Sequence, residues 1–258
     1  MTGPALRGRG AVVTGGGRGI GAAVARALAD AGAAVLVAAR TTPEVERVAG
    51  ELTQSGAQAW AVGCDVTDPE GVARLVEAAA ARVGPVDILV NNAGTAASAP
   101  LKRITLDEWN RMFAVNATSA FLCTQAFLPG MTGRGWGRIV NVASVAGLRG
   151  ERYIAHYAAA KHALVGLTRS VATEVAGTGV TVNAVCPGYV DTPMTDRTLA
   201  NVAALKGLDR EGALRAVLQA AGQARLITPD EVAGAVLALC GDDARDRNGE
   251  TMVLEARA

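Results

Sequence analysis

Ala11-Val12-Val13-Thr14-Gly15-Gly16-Gly17-Arg18-Gly19-Ile20-Gly21 is the stretch on which the reading of this chain turns. Its apolar opening predicts a short strand that the glycines break. Arg18 to Ala31 then carries Ile20, Val24, Ala27 and Leu28 on one helical face. Gly15, Gly19 and Gly21 follow the pattern G-x-x-x-G-x-G, with Arg18 and Ile20 between and beside them. Glycine accepts positive φ and lets the backbone come close to a diphosphate. The N–H groups at a helix start have no partner inside the helix, and together with the dipole they attract an anion. The same turn would also serve merely to join a strand to a helix. Its setting, after a strand and at the opening of a helix, favours the anion site.

Outward from this turn the alternation continues. Val35-Leu36-Val37 reads as the second strand, and Glu44 to Gln54 as a helix with Val45, Val48 and Leu52 on one face. Ala59 to Val62 is a third strand. Asp68-Pro69-Glu70 opens the next helix with an acidic N-cap and a proline in the first turn. Val86 to Val90, Arg138 to Val142, Val180 to Val185 and Glu250 to Leu254 predict four more strands. Long helices are expected at Asp107 to Phe127 and Tyr153 to Ala176, and a shorter one at Pro229 to Leu239. Strands that are nearly all apolar, repeated with helices between them, predict an α/β fold. The expected architecture is a single doubly wound Rossmann-type domain over residues 1–258, with a seven-stranded parallel sheet flanked by helices. Thr192 to Arg225 lies outside the alternation. It reads as a helical insertion, either a substrate lid or a helix pair that only packs.

Composition narrows the function. In 258 residues, 50% are hydrophobic but only 3% aromatic, so the core must be built from Ala, Val, Leu and Ile. Lys plus Arg number 25 against 24 for Asp plus Glu, which argues against nucleic acid held by bulk charge. No apolar run approaches the ~18 residues of a membrane span, and Met1 to Gly10 has no signal-peptide core. Cys64, Cys123, Cys186 and Cys240 are far apart and form no CxxC pair. The reading is a reduced cytoplasmic chain without disulfides or metal.

The end of the second strand bears on the cofactor. An acid there suits the ribose 2′-hydroxyl of NAD, and an arginine suits the 2′-phosphate of NADP. The chain reads Ala38-Ala39-Arg40-Thr41-Thr42, with no acid before Glu44. Arg40 offers a planar fork and Thr41 a hydroxyl, so NADP(H) is expected as the preferred cofactor, with NAD(H) possible. A solvated arginine at a strand end is the plainer alternative. Asp65 and Val66, after the third strand, are placed for the adenine side.

In Tyr157-Ala158-Ala159-Ala160-Lys161 the phenol and the ammonium share one helix face. A phenol's ordinary pKa is near ~10, and a nearby ammonium favours its ionised form, which suits acid–base chemistry. Alone the pair would be an ordinary helical neighbour pair.

The ordered set Thr14 to Gly21, Asn91 to Gly94, Asn116, Ser144, Tyr157 with Lys161, and Pro187-Gly188 resembles the short-chain dehydrogenase/reductase family, in its compact single-domain branch. The resemblance spans Leu6 to Leu254 and is nearest to 3-oxoacyl reductases and 3-hydroxyacyl dehydrogenases. It implies that Tyr157 gives or takes the substrate proton. Lys161 would hold the nicotinamide ribose and lower the Tyr157 pKa. Ser144 would bond the carbonyl oxygen, and Asn116 would anchor a water on the proton path. Asn92, Ala93 and Gly94 would line the adenosine ribose, and Pro187, Gly188, Val190 and Thr192 would border the nicotinamide. His156 and His162 are read as structural. The resemblance also implies a homotetramer, or a dimer, formed through the 107–127 and 153–176 helices.

The implied activity is an NADP(H)-preferring interconversion of a ketone and a secondary alcohol, the substrate being a 3-oxoacyl thioester or a similar small ketone. An NAD-linked 3-hydroxyacyl-CoA or hydroxy-acid dehydrogenase is the alternative enzyme. A cofactor-sensing protein without turnover is the alternative of another class. Val145-Ala146-Gly147-Leu148 and Met194 suggest an apolar pocket, and Arg149 and Arg152 could reach an acidic tail. Two departures from the family stand out. The last strand lacks the usual glycine turn after it. The end of the Tyr-Lys helix, Thr173 to Gly179, lacks the arginines that meet an acidic carrier protein.

Overall fold

Seven parallel strands form one sheet in the order β3-β2-β1-β4-β5-β6-β7 in the computed structural model, which describes residues 5–257. The outermost residues of the expected 1–258 span, 1–4 and 258, lie outside the described part. The strands are β1 Gly10–Thr14, β2 Ala34–Ala39, β3 Ala59–Gly63, β4 Val86–Asn91, β5 Gly137–Val142, β6 Val180–Pro187 and β7 Thr251–Leu254. The helices between them are α1 Gly19–Asp30, α2 Thr42–Gln54, α3 Pro69–Arg82, α4 Leu106–Phe113, α5 Ser119–Arg134 and α6 Ala155–Glu174. After β6 come α7 Pro193–Lys206, α8 Arg210–Ala221 and α9 Pro229–Leu237.

The apolar strands are explained by burial on both faces. Ala11, Val13, Val35, Val37, Ile88 and Val90 point to one side and pack with Val24 and Leu28 of α1, Val45 of α2 and Val236 of α9. Val12, Leu36, Leu89 and Ile139 point to the other and pack with Leu75 of α3, Phe127 of α5 and Val171 of α6. Alternate residues of one strand thus serve opposite layers. At α3 the expected cap is present: Asp68 accepts from the N–H groups of Glu70 and Gly71 at 3.1 and 3.0 Å.

Two helices differ from their sequence reading. The stretch expected as one helix from Asp107 to Phe127 is α4 and α5 joined by a widened π-type turn at Ala114–Thr118. The helix also runs past Pro129 and ends at Gly135, whose φ of 69° makes a left-handed cap. The Tyr-Lys helix begins at Ala155 rather than Tyr153, because Tyr153 lies at φ 69°, outside helical geometry. Its carbonyl accepts from the Ala99 N–H at 2.7 Å, tying the 95–99 segment to the start of α6.

A buried polar chain fixes α6 to the sheet. Asn91 donates to Asn141 at 2.9 Å and to Thr124 at 3.1 Å, and Asn141 donates to Thr168 at 2.9 Å. The Thr168 hydroxyl donates in turn to the Leu164 carbonyl. Asn141→Ala removes the middle link and strands buried amide and hydroxyl groups. It should lower stability by about 1–3 kcal/mol, read as a lower denaturation midpoint in urea.

Candidate active site

The loops after β1, β2, β3, β4, β5 and β6 all leave the same edge of the sheet and enclose a cavity of about 480 Å3. The sheet order reverses between β1 and β4, the point at which open α/β sheets form a crevice. Each residue expected from the sequence to bind the cofactor or take part in catalysis lines this cavity. The glycine turn contributes Gly15, Arg18, Gly19, Ile20 and Gly21, and β2 and β3 contribute Arg40, Thr41, Asp65 and Val66. The β4 loop adds Asn92, Ala93 and Gly94, and the β6 loop adds Pro187, Gly188, Val190 and Thr192. Asn116, Ser144, Tyr157 and Lys161 lie on its wall too.

The glycine turn fits a dinucleotide diphosphate. Gly15 and Gly19 have φ of 64° and 53°. A Cβ at Gly21 would be driven into the Gly15 carbonyl, so only glycine lets the helix start this close to the strand. The first turn of α1 has no side-chain cap, unlike α3, α4, α7, α8 and α9, so its N–H groups face the cavity without an internal acceptor. Asn92 braces the turn from β4, donating to the Thr14 and Gly15 carbonyls at 3.0 Å each.

At the β2 rim, Arg18 pairs with Glu44 at 3.2 Å. Arg40 is exposed and enters no ion pair among the described residues. Burial pushes the Asp65 carboxyl up, but two hydrogen bonds from Thr67 and the Arg40 charge outweigh it and hold the group below its ordinary value.

At the other end, Ser144 follows β5 and accepts from the Ala146 N–H at 3.1 Å. Tyr157 and Lys161 sit one turn apart on α6. The Lys161 ammonium donates to the Val142 carbonyl at 2.9 Å and lies 5.9 Å from the Tyr157 ring centre. The expected lowering of the Tyr157 pKa is not seen in this geometry. Burial pushes the phenol up to about 12, while the Ser144 hydroxyl pulls the other way. Lys161 is itself lowered to about 8 by burial. An ammonium this far desolvated holds its charge weakly.

Asn116 sits in the widened turn. Its amide donates to the Thr95 and Met112 carbonyls at 2.9 and 3.0 Å and accepts from the Thr95 N–H at 3.2 Å. It therefore clamps the β4 loop, a contact that the sequence did not indicate. Thr192 caps α7, accepting from the Thr195 N–H. His156 is buried, and His162 bonds the Ala158 carbonyl. Of the expected apolar pocket, Val145, Ala146 and Met194 line the cavity, whereas Gly147 and Leu148 do not. Arg149 and Arg152 do not line it either. Arg149 is turned to Glu255 at 2.7 Å, a partner too distant in sequence to foresee.

Several wall residues escaped the sequence reading, among them Glu151, Ile154, Tyr189, Arg197, Thr198 and Asn201. A signal existed for three. Glu151 and Ile154 fall in the interval between Ser144 and Tyr157, and Tyr189 lies between Gly188 and Val190. Arg197, Thr198 and Asn201 come from α7, in the segment expected to be helical and outside the strand–helix alternation.

A parallel sheet of this order, a glycine turn opening α1, and a serine, tyrosine and lysine on one cavity define a dinucleotide-dependent oxidoreductase. The chain belongs to the short-chain dehydrogenase family, whose model matches residues 9–203. It is 39% identical over 244 residues to the D-beta-hydroxybutyrate dehydrogenase of Rhizobium meliloti (strain 1021), covering 93% of this chain and 94% of that protein. It is 39% identical over 247 residues to a 3-oxoacyl-(acyl-carrier-protein) reductase of Vibrio cholerae, covering 96% of each. Among solved structures, a variant of actinorhodin polyketide ketoreductase with NADPH superposes with a TM-score of 0.91 at 36% identity, covering 95% of each chain. The protein is thus an NAD(P)-dependent oxidoreductase acting on ketone and hydroxyl groups. Among the described residues no helix is long and apolar enough to cross a membrane.

Gly21→Ala should weaken NADPH binding at least ~10-fold, because the added methyl pushes the diphosphate cradle apart. Gly50→Ala, which adds a methyl in open space, should leave the dissociation constant unchanged. Quenching of intrinsic fluorescence on titration with NADPH measures both.

Proposed function

We propose that this enzyme reduces a small ketone, such as a 3-oxoacyl thioester, to the secondary alcohol with NADPH as the preferred cofactor. The observation that carries the reading is the placement of Ser144, Tyr157 and Lys161 on the same cavity as the glycine turn. When bound, the nicotinamide supplies a hydride to the carbonyl carbon or takes one from the alcohol. Tyr157 gives its proton to the developing alkoxide, and burial keeps that proton in place until charge forms on the oxygen. The Ser144 hydroxyl donates to the same oxygen and holds it in line. Lys161 binds the nicotinamide ribose. Asn116 anchors a water through which Lys161 is reprotonated. The glycine turn and Ile20 take the diphosphate. Asn92, Ala93 and Gly94 border the adenosine ribose, and Pro187, Gly188, Val190 and Thr192 border the nicotinamide. Asp65 and Val66 flank the adenine.

The NADPH preference rests on Arg40, with Thr41 beside it, an exposed cation at the cavity rim that enters no ion pair among the described residues. The second reading, an NAD-linked 3-hydroxyacyl-CoA or hydroxy-acid dehydrogenase, draws its support from the Rhizobium relative's name. We take residues 1–258 to be one catalytic domain, with 192–225 as its substrate lid. We further take the enzyme to be cytoplasmic and homotetrameric. Support for the tetramer comes from apolar side chains exposed on α4 and α5, Leu106 and Phe121, and on the edge strand, Val253.

Tyr157→Phe keeps the ring and removes its only transferable proton. Turnover should fall at least ~10²-fold with NADPH affinity little changed; near wild-type turnover with chemistry rate-limiting would defeat the assignment. Arg40→Asp should cut kcat/KM for NADPH at least ~10-fold and shift preference toward NADH, through lost pairing and new repulsion. Steady-state rates with the two cofactors at fixed ketone check it, and a wild type that prefers NADH would overturn the cofactor reading.

A further inference from the structure

The wall near Ser144 and Tyr157 is apolar for the most part. Val145 and Ala146 follow Ser144 directly, Ile154 lies one turn before Tyr157, and Met194 enters from α7. Into this wall the loop before α6 brings one carboxylate, Glu151, which is half-buried. Among the described residues Glu151 enters no ion pair. Arg149 is committed to Glu255, and Arg152 does not line the cavity. Glu151 lines the same cavity as Ser144 and Tyr157, and its charge is a lesser influence that favours the protonated Tyr157 and Tyr189 phenols. Besides Lys161, α7 brings the cation Arg197 to the cavity wall, with its side chain exposed.

We propose that Glu151 is a charge filter on the substrate. It excludes ketones that carry a free carboxylate next to the reacting carbonyl, and admits the neutral ester or thioester of the same acid. The inference rests on the ketone reductase reading and makes it narrower. An unpaired carboxylate on a mostly apolar wall has no partner to neutralise it, so a second negative charge brought beside it is repelled. Discrimination of this kind comes from an unfavourable contact with the wrong substrate as much as from a favourable one with the right substrate. An esterified 3-oxo acid presents a neutral group to Glu151. Any phosphate of a carrier arm lies several bonds further from the carbonyl. The filter would therefore separate this chain in substrate from its hydroxybutyrate dehydrogenase relative, although the two match over nearly their whole length.

The test compares NADPH-dependent reduction of ethyl acetoacetate and acetoacetate by wild type, Glu151→Gln, Glu151→Asp and Arg197→Ala. Thermal melts and NADPH dissociation constants check the folding of each. Wild type should prefer the ester by at least ~10²-fold in kcat/KM, and Glu151→Gln should shrink that preference at least ~10-fold. Glu151→Asp, which keeps the charge, should retain it. A wild type that reduces both substrates equally well overturns the filter and leaves the reductase reading standing. So does a preference that Glu151→Gln leaves intact, or acetoacetate reduction that Arg197→Ala abolishes. A wild type that binds NADPH yet reduces neither of these nor any other neutral ketone overturns the reductase reading, and the filter with it.

Discussion

The parallel pairing of β1 with β4 opens the crevice around which the other parts are arranged. Thr14 closes β1 by donating its hydroxyl to the Val90 carbonyl at 3.3 Å, and the same oxygen accepts from the Asn92 and Ala93 N–H groups at 3.1 and 3.2 Å. One side chain therefore sets the spacing between the glycine turn and the β4 loop. Were the two strands to part, Asn92 would leave the Thr14 and Gly15 carbonyls, and the helix start would lose its brace. The Asn91–Asn141–Thr168 chain carries the same constraint across to α6, so that the diphosphate cradle and the Tyr157 hydroxyl are held by one connected scaffold. Buried polar chains of this sort hold geometry well because a broken link leaves an unpaired group in a dry interior.

The electrostatics at the far end follow from how dry that interior is. Tyr157 keeps its proton and Lys161 is driven toward losing one, both chiefly by burial. The two shifts have a common sense: each group is pressed toward its neutral form. Besides Lys161, the cavity wall carries Glu151, Arg40 near β2 and Arg197 on α7. The reacting centre thus holds a protonated phenol beside an ammonium whose pKa is lowered to about 8, still mostly charged near neutral pH.

What could be read in the sequence, and what could not, divides along the same physical line. The strands and most helices were legible because burial on two faces imposes apolar runs and a regular helical rhythm. The cavity residues at the strand ends were legible because glycines and polar residues must stand where those runs end, whereas those brought by α7 were not. Pro129 within α5 was not, since the tertiary packing of Phe127 and Met131 outweighs one lost hydrogen bond. The Tyr157 shift was not legible either: a spacing of four residues predicts proximity to Lys161, whereas desolvation depends on everything packed around both. Arg149 looked free to meet a substrate because Glu255 arrives from the other end of the chain.

The widened turn at Ala114–Thr118 holds one residue more than an α-helical turn would. Such a turn absorbs its extra residue locally, so α4 and α5 keep their buried faces on either side of it. Deletion of a single codon here would restore a plain helix, still amphipathic and still packed on the sheet, but with Asn116 rotated away from Thr95. Fold and site are therefore separable at this point by the smallest change in length that a gene can make in frame. A lineage in which the turn has closed would keep a sound protein and lose the clamp on its β4 loop.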